Sequence, residues 1–410
     1  MKDTILCIDI GTSSLKAALL PDNLTKNETF VSRQVFPQSA FSEHDSARYY
    51  LPALKAALSE LREKNPDYAI EAICVSGNGP TVISEDYTTL LYSDAFVLPR
   101  LGHSASWKKT GLKNTKSLFI PRLVAFNELF EESWWASSHI FGAPEFLIHE
   151  LTGKAVSILP EERFLPAYWS EEELKKCGFS DSDIKKLPLF VKMGAFAGKI
   201  TQKAALATGL LEGTLVFAGA SDFVVALLGT GTIFPGRLCD RAGTSEGLNL
   251  CTSKPIFAED LRTMPSAIPG LWNLSYLLNG KLKTENGKLT TDYTDDTDEK
   301  RDMEKENNLF STKCDKSLTS VDYLNELSYG INLLREAATA NGECFPECMT
   351  ITGGQALNAE LIAQKEEATG LKIKKMPCAD AELLGDLILA RVTLGDFDDI
   401  EEAVFALLGA

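Results

Sequence analysis

The segment that most constrains this chain is residues 4–16, Thr-Ile-Leu-Cys-Ile-Asp-Ile-Gly-Thr-Ser-Ser-Leu-Lys. The apolar run from Ile5 to Ile8 has the make-up of a buried strand and delivers Asp9 to its end. The turn Gly11-Thr12-Ser13-Ser14 follows, and a second apolar run, Leu15 to Leu20, returns. The pattern predicts a β-hairpin whose tip carries one carboxylate, hydroxyls and small-residue backbone amides. Amides and hydroxyls can donate to phosphate oxygens, and a carboxylate can orient a hydrated divalent cation. A plain hairpin turn with a capping Asp is the simpler alternative at this stage.

Three later segments repeat this chemistry. Gly219-Ala220-Ser221-Asp222 opens an apolar helical run, and Gly229-Thr230-Gly231 with Pro235-Gly236 ends it. On position alone Asp222 would cap that helix. Gly243-Thr244-Ser245 is a second small, hydroxyl-bearing turn. Residues 350–358, Thr-Ile-Thr-Gly-Gly-Gln-Ala-Leu-Asn, read as an apolar strand ending in Gly353-Gly354 before a helix. In order and spacing these segments resemble the FGGY carbohydrate kinases, the group of xylulokinase and glycerol kinase within the actin/Hsp70/sugar-kinase superfamily. The late segment Leu384-Gly385-Asp386-Leu387-Ile388-Leu389-Ala390 resembles that family's Gly-Ala-Ala-x-x-Ala helix.

The resemblance implies an α/β fold of two ribonuclease H-like (actin-like ATPase) domains around a nucleotide-binding cleft. Their expected extents are 1–235 and 236–410, with the crossover near 233–242. It implies ATP and Mg²⁺ as cofactors. Gly11, Thr12, Ser13 and Ser14 would form the first phosphate loop, and Gly243, Thr244 and Ser245 the second. Gly353 and Gly354 would let the backbone pass close to adenosine. Asn358 would either reach the adenine or cap the following helix. Asp9 would hold Mg²⁺ through water. Asp222 would take the proton from the acceptor hydroxyl and lie near both substrate and metal.

The substrate side departs from the family. Its Trp-x-Asp-x-Arg-like segment corresponds to Ala95-Phe96-Val97-Leu98-Pro99-Arg100, which keeps Arg100 and lacks the Asp. Gly77-Asn78-Gly79-Pro80 stands for a loop that usually carries a histidine, leaving Asn78 as a candidate hydroxyl ligand. The implied function is ATP-dependent phosphorylation of a hydroxyl on a sugar, polyol or related small molecule. The alternative is a nucleotide-binding protein of the same fold that acts as a sensor or partner-binding switch.

Composition fits a soluble enzyme and narrows its partners. A length of 410 residues gives a prior of two to three domains. The net charge of −16 argues against a general binder of nucleic acid or anionic membranes. No segment reaches transmembrane length. Met1-Lys2-Asp3 runs directly into the first expected strand, so a cytoplasmic location without a signal peptide is expected. The nine cysteines show no paired metal spacing and fit reduced thiols. A homodimer is compatible with this reading.

Two competing motifs fail. Gly243-x-Ser245-x-Gly247 fits a hydrolase nucleophile elbow, but His44, His103, His139 and His149 all precede the serine where that fold needs one after it. No Walker A or protein-kinase glycine loop occurs. Periodicity predicts helices over 46–64 and 320–341, a strand over 70–75, and a polar excursion over 279–319.

Overall fold

The opening apolar run becomes the middle of a six-stranded sheet in the computed structural model. The structure describes residues 2–22, 24, 29–92, 115–242, 246–278, 280–282, 316–318 and 320–409. The calls at Arg100 and at Gly243, Thr244 and Ser245 lie outside the described residues, as does most of the 279–319 excursion. Its described ends, Gly280–Leu282 and Lys316–Leu318, pair as parallel strands.

The first sheet is built from β1 (Lys2–Ile10), β2 (Ser14–Leu20), β3 (Val31–Val35), β4 (Tyr68–Gly77), β5 (Phe196–Lys199) and β6 (Leu215–Ser221). Helices α1 (Tyr50–Lys64) and α2 (Ala143–Thr152) cover one face, and α3 (Asp222–Gly229) leaves the end of β6. The strand order is β5-β6-β4-β1-β2-β3. β1 pairs antiparallel with β2 and parallel with β4, which in turn pairs parallel with β6.

The second sheet comprises β7 (Leu238–Arg241), β8 (Gly247–Thr252), β9 (Arg262–Pro265), β10 (Trp272–Leu277), β11 (Cys348–Thr352) and β12 (Lys372–Lys375). Two helices follow its strands, α4 (Ser320–Ala340) and α5 (Ala359–Thr369). The order is β9-β10-β8-β7-β11-β12. With the added edge strands β5 and β9 set aside, both sheets run third-second-first-fourth-fifth, with the second strand antiparallel to the first. The two halves thus share one topology, which sequence does not reveal.

The chain leaves the first sheet at Ser221 and enters the second at Leu238. The last two helices, α6 (Ala381–Leu394) and α7 (Ile400–Leu408), return to the first sheet. Leu383, Leu384, Leu387, Ile388 and Leu408 pack with Ile5, Cys7, Cys74 and Phe217. Apolar residues on the second face of a sheet must be covered, and α6 and α7 cover that face of the first sheet.

Where α6 crosses α3, backbone meets backbone. A Cβ on Gly229 would lie 1.9 Å from the Ala381 carbonyl oxygen, and one on Gly385 would lie 2.1 Å from the Val225 oxygen. A methyl group there forces the helices apart. Gly229→Ala or Gly385→Ala should each lower the unfolding free energy in urea by at least about 2 kcal/mol. Gly354→Ala, whose Cβ would meet nothing within 4 Å, should stay within about 0.5 kcal/mol of the parent. Equal effects at all three positions would contradict the close crossing.

Candidate active site

Three parallel strands end together. The register sets Ile10 opposite Gly77 and Gly77 opposite Ser221. Asp9, Asn78 and Asp222 therefore lie at the carboxyl ends of β1, β4 and β6, the edge of an open α/β sheet where ligands commonly bind. In the second sheet Arg241 pairs with Thr352, which places the exits of β7 and β11 side by side.

The hairpin expected from residues 4–20 forms, with a shorter tip. Asp9 pairs with Lys16 across it, the Gly11 amide donates to the Ser14 carbonyl at 2.9 Å, and the Phe36 amide donates to the Ser13 carbonyl at 2.9 Å. Gly11, Thr12 and Ser13 make the turn. Ser14 already belongs to β2 and is buried, so its hydroxyl does not sit at the tip. The physical reason is the tight Gly11–Ser14 bond, which starts the ladder one residue early.

An ionic cluster lies behind the tip. Lys16 Nζ is 2.8 Å from Asp380 Oδ1 and 3.4 Å from Asp9 Oδ2. Asp380 immediately precedes α6, so this lysine ties the first hairpin to the segment that returns from the second sheet. Asp9 is 2% exposed, and its Oδ1 has no hydrogen-bond partner. Burial pushes its carboxyl up to about 7 despite the opposing pull of Lys16, with Glu382, Asp222 and Asp380 adding repulsion. One lysine serves too many carboxylates. Below Asp9, Asp386 of α6 accepts from Ser76 Oγ at 2.9 Å and Cys74 Sγ at 3.5 Å. Complete burial raises this carboxyl far above its ordinary range. Gly219 makes room for it, since a Cβ there would lie 2.7 Å from Asp386 Oδ1.

Asp222 begins α3. Its Oδ1 accepts from the Phe223 amide at 2.6 Å, and among the described residues no hydrogen bond engages Oδ2. The residue is partly exposed to solvent but densely surrounded by protein. Desolvation raises its carboxyl above the ordinary value, Arg241 opposes that rise and Glu382 adds to it. Arg241 stacks its guanidinium 5.0 Å over the Phe223 ring, carrying a charge from the second sheet to the start of α3.

Asn78 does not reach the cleft as expected. It is 2% exposed, its Nδ2 donates to the Ile10 carbonyl at 3.0 Å, and its Oδ1 accepts from Thr81 at 2.5 Å. The side chain clamps the ends of β4 and β1. Asn358 resolves to a cap: its Oδ1 accepts from the Leu361 amide at 3.1 Å. Gly353 has φ +89°, a backbone state that disfavours side chains, and its amide donates to the Ala379 carbonyl at 2.7 Å. Gly354 faces open space.

Sequence reasoning missed Lys16, Arg241, Asp380 and Glu382 as site residues. Lys16 was visible as the cross-strand partner of Asp9 once the turn length was known. Asp380 and Glu382 carried a weaker signal, acids at a helix start.

No protein-family model matches the chain. Solved structures do. Xylulose kinase from Lactobacillus acidophilus superposes with a TM-score of 0.70 at 17% identity, over 99% of this chain and 92% of that one. Gluconate kinase from the same organism gives 0.70 at 16%, over 100% and 92%. Glycerol kinase from Plasmodium falciparum, solved with ADP, gives 0.69 at 13%, over 99% and 92%. The chain has the fold of the sugar kinases. Its two sheets are the two halves of that actin-like ATPase architecture. Among the described residues no helix is long and apolar enough to cross a membrane.

The surplus of acid has a stability consequence. Asp9 holds its proton to about 7 in the folded chain against an ordinary carboxylate value of 3.8 when unfolded. The native state therefore binds more protons than the unfolded state between those values, and stability falls as pH rises through that window. Asp9→Asn removes the cost of ionising the buried group. At pH 8 it should raise the unfolding free energy by up to ~4 kcal/mol, with little difference at pH 4. A variant less stable than the parent at pH 8 would contradict this placement.

Proposed function

We propose that this protein transfers the γ-phosphoryl group of Mg-ATP to a hydroxyl of a sugar, polyol or related small molecule. The observation that carries the reading is the placement of Asp9 and Asp222 at the carboxyl ends of β1 and β6, on either side of β4, with Lys16, Asp380 and Arg241 joining them to the second half of the fold. Similarity to xylulose, gluconate and glycerol kinases supports phosphorylation of a sugar or polyol as the reaction class.

Phosphoryl transfer asks a protein mainly for positioning and charge. The turn Gly11-Thr12-Ser13 offers backbone amides and hydroxyls to the terminal phosphate. The backbone at Gly353-Gly354 offers the adenosine a surface without side chains. Asp222 Oδ2 takes the proton from the acceptor hydroxyl, and desolvation at that position strengthens it as a base while Arg241 favours its charged form. The residues fit a divalent cation: Asp9 Oδ1 is buried without a partner, and four carboxylates, Asp9, Asp222, Asp380 and Glu382, outnumber the three nearby cations Lys16, Arg33 and Arg241. Bound there, Mg²⁺ would neutralise charge on the phosphates. Asp9, with Asp222 nearby, would hold it. Gly243, Thr244 and Ser245 are proposed to close on the phosphates from the second half, and Arg100 to meet the substrate.

Asp222→Asn keeps size and the bond to the Phe223 amide but cannot accept a proton. Its turnover should fall at least roughly a hundredfold, with ATP affinity and thermal stability close to the parent. Turnover within a few-fold of the parent would reduce Asp222 to a helix-start residue and remove the proposed base. Gly354→Val tests the adenosine loop separately. The fold has room for the side chain, so ATP affinity by calorimetry should drop at least about tenfold without loss of stability. Unchanged affinity would place adenosine elsewhere.

A further inference from the structure

Where the chain crosses from α3 to the second sheet it borders a cavity of about 300 Å³. Thr230 and residues 236–238 form one wall, and Pro346, Cys348, Thr350 and Lys374 form the other. The register sets Thr350 of β11 beside Lys374 of β12. Leu238 and Cys348 are the first residues of β7 and β11, whereas the exits of those strands near the proposed nucleotide site are Arg241 and Thr352. The cavity is therefore a separate place from that site.

Its charge is of one sign. Arg237 is half-buried and Lys374 is exposed. Among the described residues neither side chain has a hydrogen bond or an ion pair, and no carboxylate lines the cavity. The chain has a net charge of −16, so two cations at one cavity without an acid are a local reversal of its overall sign. Lysines on an edge strand such as β12 guard it against pairing with another chain. That accounts for Lys374 but not for Arg237, which comes from the crossover on the opposite wall. A larger neighbouring cavity that shares Pro346, of about 620 Å³, differs in kind. Glu347 lines it beside Lys372 and Arg335, and Arg335 is already engaged with Asn332 and the Phe345 ring.

The chemistry of the lining selects a ligand class. Thr230 Oγ1 donates to the Ala226 carbonyl at 2.9 Å and Thr350 Oγ1 to the Leu238 carbonyl at 3.3 Å, so the side-chain donors left for a ligand are those of Arg237 and Lys374. A guanidinium fork matches two phosphate oxygens, and an ammonium adds a compact charge. A space of 300 Å³ equals about ten water molecules at ~30 Å³ each, enough for one phosphate and a short carbon chain. Pro346 and Leu238 give such a chain an apolar wall. We infer that this cavity binds a small phosphate-bearing anion, orthophosphate or a short-chain phosphate monoester, between Arg237 and Lys374. The inference does not rest on the nucleotide reading and stands if that reading fails.

Cys348 gives a local readout, because its thiol is exposed and lines the cavity, while the exposed Cys344 does not line it. The full chain without nucleotide is alkylated with iodoacetamide, and both thiols are followed by peptide mass spectrometry. Glycerol 3-phosphate, orthophosphate or chloride is titrated at constant ionic strength. Saturating phosphate ligand should slow Cys348 at least about fivefold relative to Cys344, with half-protection at about 1 mM or below. Protection by both phosphates would support a site for the phosphate group itself, and protection by glycerol 3-phosphate alone would support a monoester site. Arg237→Gln and Lys374→Gln should each raise the half-protection concentration at least about fivefold, with thermal midpoints near that of the parent. Arg237→Lys, which keeps the charge, should recover part of the protection. No protection by either phosphate would overturn the inference. So would equal protection by chloride, or parent-like protection in either glutamine variant, because phosphate bound elsewhere would leave these side chains irrelevant.

Discussion

The close crossing of α3 and α6 is the constraint on which the rest of the structure depends. With no side chain between Gly229 and Ala381 or between Gly385 and Val225, the two helices are fixed to each other at backbone distance. One helix leaves the first sheet and the other arrives from the second. Their contact sets how the carboxyl ends of the two sheets meet. The start of α3 carries Asp222, and the start of α6 carries Asp380 and Glu382. Lys16 then spans the junction by pairing with both Asp9 and Asp380. Any residue larger than glycine at the crossing would move these acids relative to one another.

The electrostatics follow from that geometry. Apolar helices and strands enclose the cluster, so each carboxylate loses hydration, and the available cations do not compensate fully. Asp9 and Asp386 hold protons well above the ordinary carboxylate range for this reason. An excess of buried acid is costly to a resting fold. It is also what a site needs if a positive ion is to be drawn in with the nucleotide. The second half meets the same problem differently: Lys365 supplies a built-in cation for Asp240 and Glu246.

Much of this was legible in the sequence, and the failures have physical causes. The first hairpin, the helix starting at Asp222 and the Gly353-Gly354 turn are local features, specified by apolar periodicity and small residues, and they appear where expected. The return of α6 and α7 to the first sheet is a long-range packing choice that an apolar helix pattern cannot specify, since it shows that a face is buried without showing against what. Asn78 is a candidate ligand through the resemblance of its loop to one that usually carries a histidine, and a resemblance does not show local partners. In three dimensions its partners are Ile10 and Thr81. Lys16 was overlooked for a different reason. A lysine in a strand reads as a solvated edge residue until the register sets it opposite Asp9.

The central claim is that these two sheet ends transfer phosphate to a hydroxyl and do not merely hold a nucleotide. Phosphorus NMR of the purified chain with Mg-ATP and a panel of sugars, sugar acids and polyols tests this most directly. The account predicts that at least one acceptor converts the γ-phosphate resonance into that of a phosphomonoester, with ADP formed in equal amount. ATP that binds yet stays intact with every acceptor, or that yields only inorganic phosphate, would contradict it.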